Sequence, residues 1–250
     1  MSNKEALRQS YKILSPFSDK QRWEFNNNLV HLNFLTKYLD KSRTIFDAGC
    51  GIGILALALT LLGYKVEGGD KYLFTFGSKF AVDDIEKLRT IWKKYNLRIS
   101  EKDILTDEIS QKYDAIISIA TIEHQRNPKL FLEKLKNAVK DGGHIYIATP
   151  NISHLLNRAR FLFGLSPMSG HLKQWFEQGE NFTGHFREYT LSELRQMSEW
   201  SGLQIVVAKN VQSMRPNIKS GLRAIYMNLF RLLSFILPGA GDTNLILCKK

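Results

Sequence analysis

The sequence predicts an α/β fold built on a doubly wound, mostly parallel sheet of seven strands. Short apolar runs rich in β-branched residues alternate with longer stretches of helical periodicity along the 250 residues. A glycine-rich turn directly follows the first of these runs, as in nucleotide-binding α/β folds. The composition, with 44% hydrophobic and 24% charged residues, excludes a disordered or collagen-like chain.

Five candidate strands have the spacing that parallel βαβ crossovers require. They are residues 44–47 (TIFD), 65–69 (KVEGG), 97–101 (LRISE), 114–119 (DAIISI) and 144–149 (HIYIAT). Two later runs, 203–208 (LQIVVA) and 244–248 (NLILC), predict an antiparallel hairpin at the edge of the sheet.

Amphipathic helices are predicted between the strands, over 53–62, 83–95, 128–140 and 191–201. Thr190, followed by Ser192 and Glu193, predicts an N-terminal cap for the last of these helices.

The length suits one large α/β domain or two small ones, and since no linker or repeat divides the sequence, we expect a single domain, 1–250, with four parts. Residues 1–43 carry leucines at near-helical spacing and predict a helical segment over the sheet, and 44–150 form the ligand-binding half. Residues 151–190 are an insertion rich in aromatic residues, where a bare connection needs about 2 to 6 residues. We expect this insertion to be a cap over the site, followed by a C-terminal part, 191–250.

The net charge of +11 is concentrated at the C-terminal end, where residues 201–250 hold seven basic residues against Asp242 alone. This asymmetry indicates an anionic partner, either a membrane surface or a nucleic acid, or else a solvated basic face. Residues 215–238 combine helical apolar spacing with basic side chains, which fits either a membrane-contacting helix or a helix packed on the sheet. The run is too short to span a bilayer, since Arg231 interrupts it and about 20 apolar residues are needed.

Cysteine usage predicts a reducing, cytoplasmic setting. The chain has two cysteines, Cys50 and Cys248, and its first residues lack the apolar core of a signal peptide.

The most informative segment is the glycine turn after the first strand. Gly49, Gly51 and Gly53 give a G-x-G-x-G pattern, whereas dinucleotide sites have G-x-G-x-x-G. Asp47 at the strand end would repel a pyrophosphate but favour a ligand that carries an ammonium and a sulfonium group. The turn therefore favours a cationic nucleoside ligand over a dinucleotide.

Two further acids follow later strands. Asp70 lies 21 residues after Gly49 at the end of the second candidate strand, where a carboxylate can accept hydrogen bonds from both ribose hydroxyls. Asp103 lies where the third strand would bring it near an adenine amino group. Either residue could instead serve as an ordinary turn or cap residue.

Together these segments resemble class I S-adenosylmethionine-dependent methyltransferases over residues 44–208. The matching segments are FDAGCGIG (46–53), GGD (68–70), DI (103–104), SIATIEHQRNP (118–128) and GGHIYIATPN (142–151). The IEH-x-x-NP segment and GHFREYT-x-x-EL (184–194) resemble the small-molecule branch, which includes ubiquinone-type and sugar or lipid O-methyltransferases.

The resemblance implies a Rossmann-like methyltransferase fold, S-adenosylmethionine as cofactor, and a substrate held under the variable cap. The cofactor contacts that it implies come from Asp47, Gly49, Cys50, Gly51, Gly53, Asp70, Lys71, Asp103, Ile104 and Ile119.

Transfer to a hydroxyl needs a base, and histidine has a suitable pKa. His124 follows the fourth strand, and His171 and His185 lie in the insertion, so His124 and His185 are the catalytic candidates, although each could be structural. Glu123 could cap the next helix, and Arg187 and Glu188 could bind an anionic or hydroxylated substrate or pair with each other. No spacing typical of a metal site is present, so no metal is predicted.

A nucleic-acid substrate is not favoured. Amino-directed nucleic-acid methyltransferases carry an Asn/Asp-Pro-Pro-aromatic motif where this chain has Ala120-Thr-Ile-Glu-His, and neither cysteine lies where a 5-cytosine enzyme needs its nucleophile. The sequence predicts methyl transfer to an oxygen of a small-molecule, glycan or lipid-linked acceptor, with peripheral contact to an anionic membrane. The alternatives are an NAD-dependent oxidoreductase and an inactive methyltransferase-like binding module.

Overall fold

The computed structural model describes residues 1–17, 23–71, 82–109, 111–168, 172–213, 232–233 and 236–250. Two of the sequence predictions fall wholly or mainly outside these residues. They are the base candidate His171 and most of the basic amphipathic segment 215–238.

The described residues form the predicted seven-stranded sheet. Its strands are β1 (Thr44–Ala48), β2 (Lys65–Asp70), β3 (Arg98–Glu101), β4 (Tyr113–Ile119), β5 (Val139–Pro150), β6 (Gln204–Val211) and β7 (Thr243–Lys249). The order across the sheet is β3-β2-β1-β4-β5-β7-β6. The first five strands pair in parallel, and β7 pairs antiparallel with both β5 and β6. The mostly parallel sheet and the antiparallel hairpin at its edge are both confirmed.

Helices lie on both faces of the sheet. They are α1 (Asn3–Leu14), α2 (Trp23–Tyr38), α3 (Ile54–Leu61), α4 (Val82–Lys94), α5 (Pro128–Ala138), α6 (Leu155–Leu162), α7 (Leu172–Gln178) and α8 (Leu191–Trp200). The prediction for α5 was two residues too long. Its last helical residue is Ala138, because the fully buried, β-branched Val139 already has an extended backbone and begins β5.

Alternate residues of each central strand enter two separate hydrophobic clusters. Along β4, Ala115 and Ile117 pack in the cluster that includes residues of α1 to α4, whereas Ile116 packs in the cluster that includes residues of α5 and α8. This period of two is what a sheet buried on both faces requires. The sheet is therefore doubly wound, as predicted.

The N-terminal segment forms two helices that pack against this core. Ser10 Oγ on α1 donates to the Ile54 carbonyl at the start of α3, at 2.6 Å. On α2, the fully buried His31 contacts the Tyr146 hydroxyl through Nδ1 at 2.8 Å. Burial lowers the pKa of His31 to about 3, so this histidine is a neutral core residue.

The cap insertion contains two short helices, α6 and α7, that the sequence did not predict. Within α6 only Asn157 is buried, and no residue of α7 is buried. Both helices are short and place most of their apolar side chains toward solvent, so they lack the one-sided pattern that identifies a core helix. Among the described residues, no helix has both the length and the apolar content needed to cross a bilayer.

Candidate functional site

The glycine turn lies between the carboxyl end of β1 and the start of α3. Gly49, Gly51 and Gly53 all have positive φ angles, of 88°, 53° and 84°. The Gly49 amide donates to the Gly69 carbonyl of the neighbouring strand at 2.8 Å, and Gly53 is the N-cap of α3. The left-handed conformations predicted for these positions are therefore present, and glycine adopts them without strain.

Gly49 also has a steric requirement for glycine that Gly51 lacks. A Cβ at Gly49 would lie 2.2 Å from Thr121 Oγ1, whereas one at Gly51 would meet no atom of the described part of the chain within 4 Å. We expect Gly49→Ala to lower the free energy of unfolding by about 2 to 3 kcal/mol, and Gly51→Ala by about 1 kcal/mol, because only the first adds a clash to the backbone strain. Urea denaturation measures both values. Equal losses in the two variants would contradict the conclusion that Thr121 leaves no room for a side chain at residue 49.

Two carboxylates meet at the turn. Asp70 Oδ2 accepts the Gly51 amide at 2.8 Å, so the acid at the end of β2 holds the turn itself. Asp47 is buried, and burial, with the nearby Asp70 charge, raises its pKa to about 7. A cationic ligand beside Asp47 would favour its charged form and lower this pKa. The pair makes the turn receptive to a positively charged group.

The remaining predicted cofactor residues occupy the same edge of the sheet. Lys71 Nζ and Asp103 Oδ2 form an ion pair at 2.8 Å, and Asp103 Oδ1 accepts the Leu105 amide. Ile104 is buried in the cluster that includes residues of α5 and α8, whereas Ile119 ends β4 and packs, partly buried, against the cluster that includes residues of α1 to α4. The structure thus brings Asp70, Lys71 and Asp103 together, while most of the Ile104 side chain is used in packing.

Cys50 is a neutral thiol that packs against β2. Burial, and the charges of Asp47 and Asp70, raise the pKa of Cys50 well above its usual value. A Cβ added at Gly68 would lie 2.7 Å from Cys50 Sγ, so the glycine makes room for this side chain. A reactive thiolate is therefore not favoured here.

The segment after β4 turns sharply next to the glycine turn. Ala120 has a φ of 52°, which is unusual for a residue with a Cβ. Thr121 Oγ1 donates toward the carbonyls of Ala48 and Ile119 at 3.2 and 3.1 Å, which joins this segment to the end of β1. The strained position was not recognised from the sequence, because alanine gives no local signal for it.

The two catalytic candidates lie against each other although they are 61 positions apart in sequence. The rings of His124 and His185 are edge to face, with centroids 4.7 Å apart. His124 Nδ1 donates to the carbonyls of Thr183 and Gly184, and His185 Nδ1 contacts Glu188 Oε1 at 2.8 Å. In the neutral form of each ring, these contacts place the lone pair on Nε2.

Glu123 completes this cluster as a fully buried acid. Its Oε2 accepts from Thr149 Oγ1 at 3.0 Å, and its buried Oε1 has no hydrogen-bond partner among the residues that the structure describes. Burial raises the pKa of Glu123 to about 7. The idea that Glu123 caps the next helix is wrong, since Asn127 is the N-cap of α5.

Glu188 and Arg187 do not pair with each other, contrary to one of the alternatives considered from the sequence. Glu188 pairs with His185, and Arg187 Nη2 pairs with Glu193 Oε1 at 2.6 Å. Sequence spacing gives no signal for the contact between His185 and Glu188 beyond their separation of three residues.

Glu123, His124 and His185 offer one ligand atom each within 4.8 Å of one another, and such a group could hold a metal ion. The prediction of no metal rested on sequence spacing, which could not show that the fold brings His185 to the other two residues. The same atoms equally suit proton transfer, and this choice is open to a direct test.

Comparison with known proteins identifies the family. A methyltransferase-domain family model matches residues 20–208. The mitochondrial ubiquinone biosynthesis O-methyltransferase of Dictyostelium discoideum is 31% identical over an alignment of 199 positions, and the match covers 74% of this chain and 61% of that protein. The ubiquinone biosynthesis O-methyltransferase of Coxiella burnetii is 25% identical over 61% of this chain and 69% of its own length.

Solved structures agree on the fold. The methyltransferase bound to the Trm112 activator in Haloferax volcanii superposes with a TM-score of 0.63 at 15% identity, covering 99% of this chain and 97% of that one. Phosphoethanolamine N-methyltransferase 2 of Haemonchus contortus, solved with S-adenosylmethionine, has a TM-score of 0.59 at 15% identity, covering 99% of this chain and 57% of that one. This chain belongs to the class I S-adenosylmethionine-dependent methyltransferases, in their small-molecule branch, and S-adenosylmethionine is its cofactor.

Proposed function

We propose that the protein transfers the methyl group of S-adenosylmethionine to an oxygen atom of a small-molecule, glycan or lipid-linked acceptor. The observation that carries the proposal is the His185–Glu188 pair, in which a carboxylate holds Nδ1 of a histidine whose ring lies against His124 in the segment after β4. The curated relatives named above, which are O-methyltransferases of ubiquinone biosynthesis, support oxygen as the acceptor atom.

The cofactor is proposed to lie across the carboxyl ends of β1, β2 and β4. Asp70 would accept the ribose hydroxyls, Asp103 would face the adenine amino group, and Asp47 would attract the ammonium and sulfonium charges. Gly49, Cys50, Gly51 and Gly53 would bring the backbone close to the ligand, with Lys71, Ile104 and Ile119 at its edges. When bound, the cofactor supplies an activated methyl group on sulfur.

His185 is proposed to take the proton of the acceptor hydroxyl through Nε2. Glu188 holds the ring by accepting from Nδ1, and its charge stabilises the imidazolium that forms. His124 lies against the same ring and, through its two contacts to carbonyls, fastens the end of the cap to the segment after β4. Alignment of the acceptor under the cap would supply much of the acceleration.

The test is turnover of methyl-labelled S-adenosylmethionine against catechols with and without a prenyl chain, hydroxylated sugars and primary amines. Methylated hydroxyl products support the proposal. Transfer to amines alone, with no methylated hydroxyl in the panel, contradicts it.

A lipid-linked acceptor is supported by the apolar surface of the cap. Phe161, Leu162, Phe163 and Phe176 each expose more than two thirds of their area, and the adjacent Leu172 and Trp175 are also largely exposed. Arg158 on the same insertion donates to the Pro238 carbonyl. This bond joins the insertion to the segment that carries the exposed apolar residues Ile236 and Leu237, which directly precede Pro238 in the chain. We propose that a cytoplasmic enzyme contacts an anionic membrane peripherally through this surface.

We expect the protein to co-sediment with vesicles that contain anionic phospholipid at low salt, and to be released as salt rises, because each basic group near such a surface contributes about 1 kcal/mol. Replacing Phe161 and Phe163 by serine should weaken this binding by about tenfold or more through lost apolar contact. Trp200→Ser is the matched control, since Trp200 is exposed on α8 outside the cap. Equal binding by all three proteins would count against the cap as the contact surface.

A further inference from the structure

A groove of about 530 Å³ opens beside the proposed base and has no role in the chemistry described above. Its walls come from the start of α5, from α7 and from the end of the cap. They include Arg126, Trp175, Glu180, Phe186, Arg187 and Tyr189. The volume falls within the range of small-molecule sites in proteins.

Arg126 contributes a positive charge to this groove. Its guanidinium donates to the Glu180 carbonyl and lies over the Phe186 ring, 4.9 Å from the centroid. Among the described residues, no ion pair involves Arg126. An arginine held by a carbonyl and an aromatic face keeps its full positive charge and presents a planar set of donors.

Arg187 adds a second cation with a different environment. It lies over the Tyr189 ring at 5.7 Å from the centroid and pairs with Glu193, which partly neutralises it. Glu180 also lines the groove, so its lining includes two arginines and one acidic residue. The N-terminus of the 11-residue helix α5, at Pro128, contributes a partial positive charge.

The groove is lined by residues that neighbour the proposed base and His124 in the chain. Gln125 and Arg126 follow His124, and Phe186 follows His185 in sequence. The amides of Phe186 and Arg187 donate to the Glu123 carbonyl at 2.8 and 3.3 Å, which fixes this wall of the groove against the histidine cluster. A ligand in the groove would therefore extend toward His185.

We propose that this groove binds a ring-bearing acceptor through an anionic substituent, a carboxylate or a phosphate, with Arg126 as its main ligand and Trp175 and Phe186 against the ring. The inference rests on the proposed function and specifies its substrate class. Arginine matches both anions because its parallel N–H groups form bidentate hydrogen bonds with them. Aromatic walls provide the apolar contact for the ring.

The test is calorimetric titration of the full chain, with bound S-adenosylhomocysteine, against four probes: phenyl phosphate, benzoate, phenol and inorganic phosphate. Phenyl phosphate and benzoate should bind at least tenfold more tightly than phenol. Phenyl phosphate should also bind more tightly than inorganic phosphate, because the ring contacts the walls. The tighter-binding probe of phenyl phosphate and benzoate shows whether the groove prefers a phosphate or a carboxylate.

Arg126→Gln should weaken phenyl phosphate binding on the order of 10- to 100-fold, as expected for loss of a charge-assisted hydrogen-bond pair. The matched control is Arg98→Gln. It removes the same charge from an ion pair with Glu67 that joins β3 and β2, away from the groove. Trp175→Phe should abolish the change in tryptophan fluorescence on binding while leaving most of the affinity. Phenyl phosphate binding no tighter than phenol, or equally weakened by Arg126→Gln and Arg98→Gln, overturns the inference.

These outcomes are independent of the methyl-transfer test. Retained S-adenosylhomocysteine binding shows that each variant is folded and has an intact cofactor site. Methylation of neutral hydroxyl acceptors, without discrimination by Arg126, would overturn the inference and leave the proposed function standing. Anion binding in the groove without any methylated hydroxyl product would contradict the proposed function and leave the groove as an anion-binding site.

Discussion

Replacement of Asp70 by alanine is expected to weaken the binding of S-adenosylmethionine and S-adenosylhomocysteine by about 30- to 1,000-fold. On the proposed role of Asp70, the variant would lose two hydrogen bonds from ribose hydroxyls to a charged acceptor, worth roughly 2 to 4 kcal/mol together. It also releases the Gly51 amide, which Asp70 Oδ2 holds at 2.8 Å, so the turn itself loses an anchor. Isothermal titration calorimetry measures both affinities.

Two further variants separate these effects. Asp70→Asn keeps an oxygen for the Gly51 amide but removes the charge, so its affinity should fall between the wild type and Asp70→Ala. Asp40→Ala removes a carboxylate from an exposed turn that precedes β1 and should bind the cofactor as the wild type does. Unchanged affinity in Asp70→Ala would remove Asp70 from the site.

The parts of the fold that follow from local patterns could be predicted. The central strands are buried on both faces and read as apolar runs, and α8 begins at a capping box in which Thr190 and Glu193 each accept from the other's amide. The end of α5 could not be placed, because Lys140 and Asp141 continue a helix-compatible sequence while Val139 pairs with Tyr113 in the sheet. Here the tertiary pairing decides between two local preferences.

The candidate site divides in the same way. The turn, Asp70 and Asp103 lie at the ends of consecutive parallel strands, so their meeting at one edge follows from the topology. The meeting of Glu123 with His185 depends on how the end of the cap folds back, through backbone hydrogen bonds from Phe186 and Arg187 to the Glu123 carbonyl. Those bonds involve no side chain, so the residues that make them carry no sequence signal.

The groove beside Arg126 shows why the insertion could be predicted from the sequence while the contacts inside it could not. Aromatic content and length predict an insertion, for which a role at the acceptor side stays a prediction. Stacking of Arg126 on Phe186 joins residues 60 positions apart, and only the folded chain shows which arginine lies on which ring. Substrate class is therefore the property that sequence patterns predict least well here.

His185→Gln is expected to lower kcat by about 10²- to 10⁴-fold, the range for loss of a general base, while leaving cofactor affinity unchanged. His124→Gln should lower kcat less, because the Nδ1 of His124 is committed to two cap carbonyls and the ring serves mainly to hold the cap.

Chelation with EDTA should leave the wild-type rate unchanged. A rate that collapses on chelation and returns with a divalent metal would instead assign Glu123, His124 and His185 to a metal site.

The pH dependence provides the sharper test of this assignment. Burial lowers the pKa of His185, but the hydrogen bond to Glu188 and the charges of Glu123 and Glu188 more than offset this, so its pKa is raised above the usual value. A base must be neutral to accept a proton, so kcat should fall as the pH decreases through this raised pKa. Glu188→Gln removes a carboxylate that favours the imidazolium. The pKa of His185 should therefore fall, and the acidic limb of the profile should move to lower pH.

Glu188→Gln should also lower the plateau value of kcat, since the amide no longer stabilises the charge that forms on the ring. NMR titration of the His185 ring follows the same pKa without any acceptor, so it checks the shift independently of turnover. Glu193→Gln is the matched control, because it removes the same charge from a residue that pairs with Arg187 and caps α8. A profile that moves equally in Glu188→Gln and Glu193→Gln would show that the overall charge of the cap, and not the contact at 2.8 Å, sets the pKa of His185.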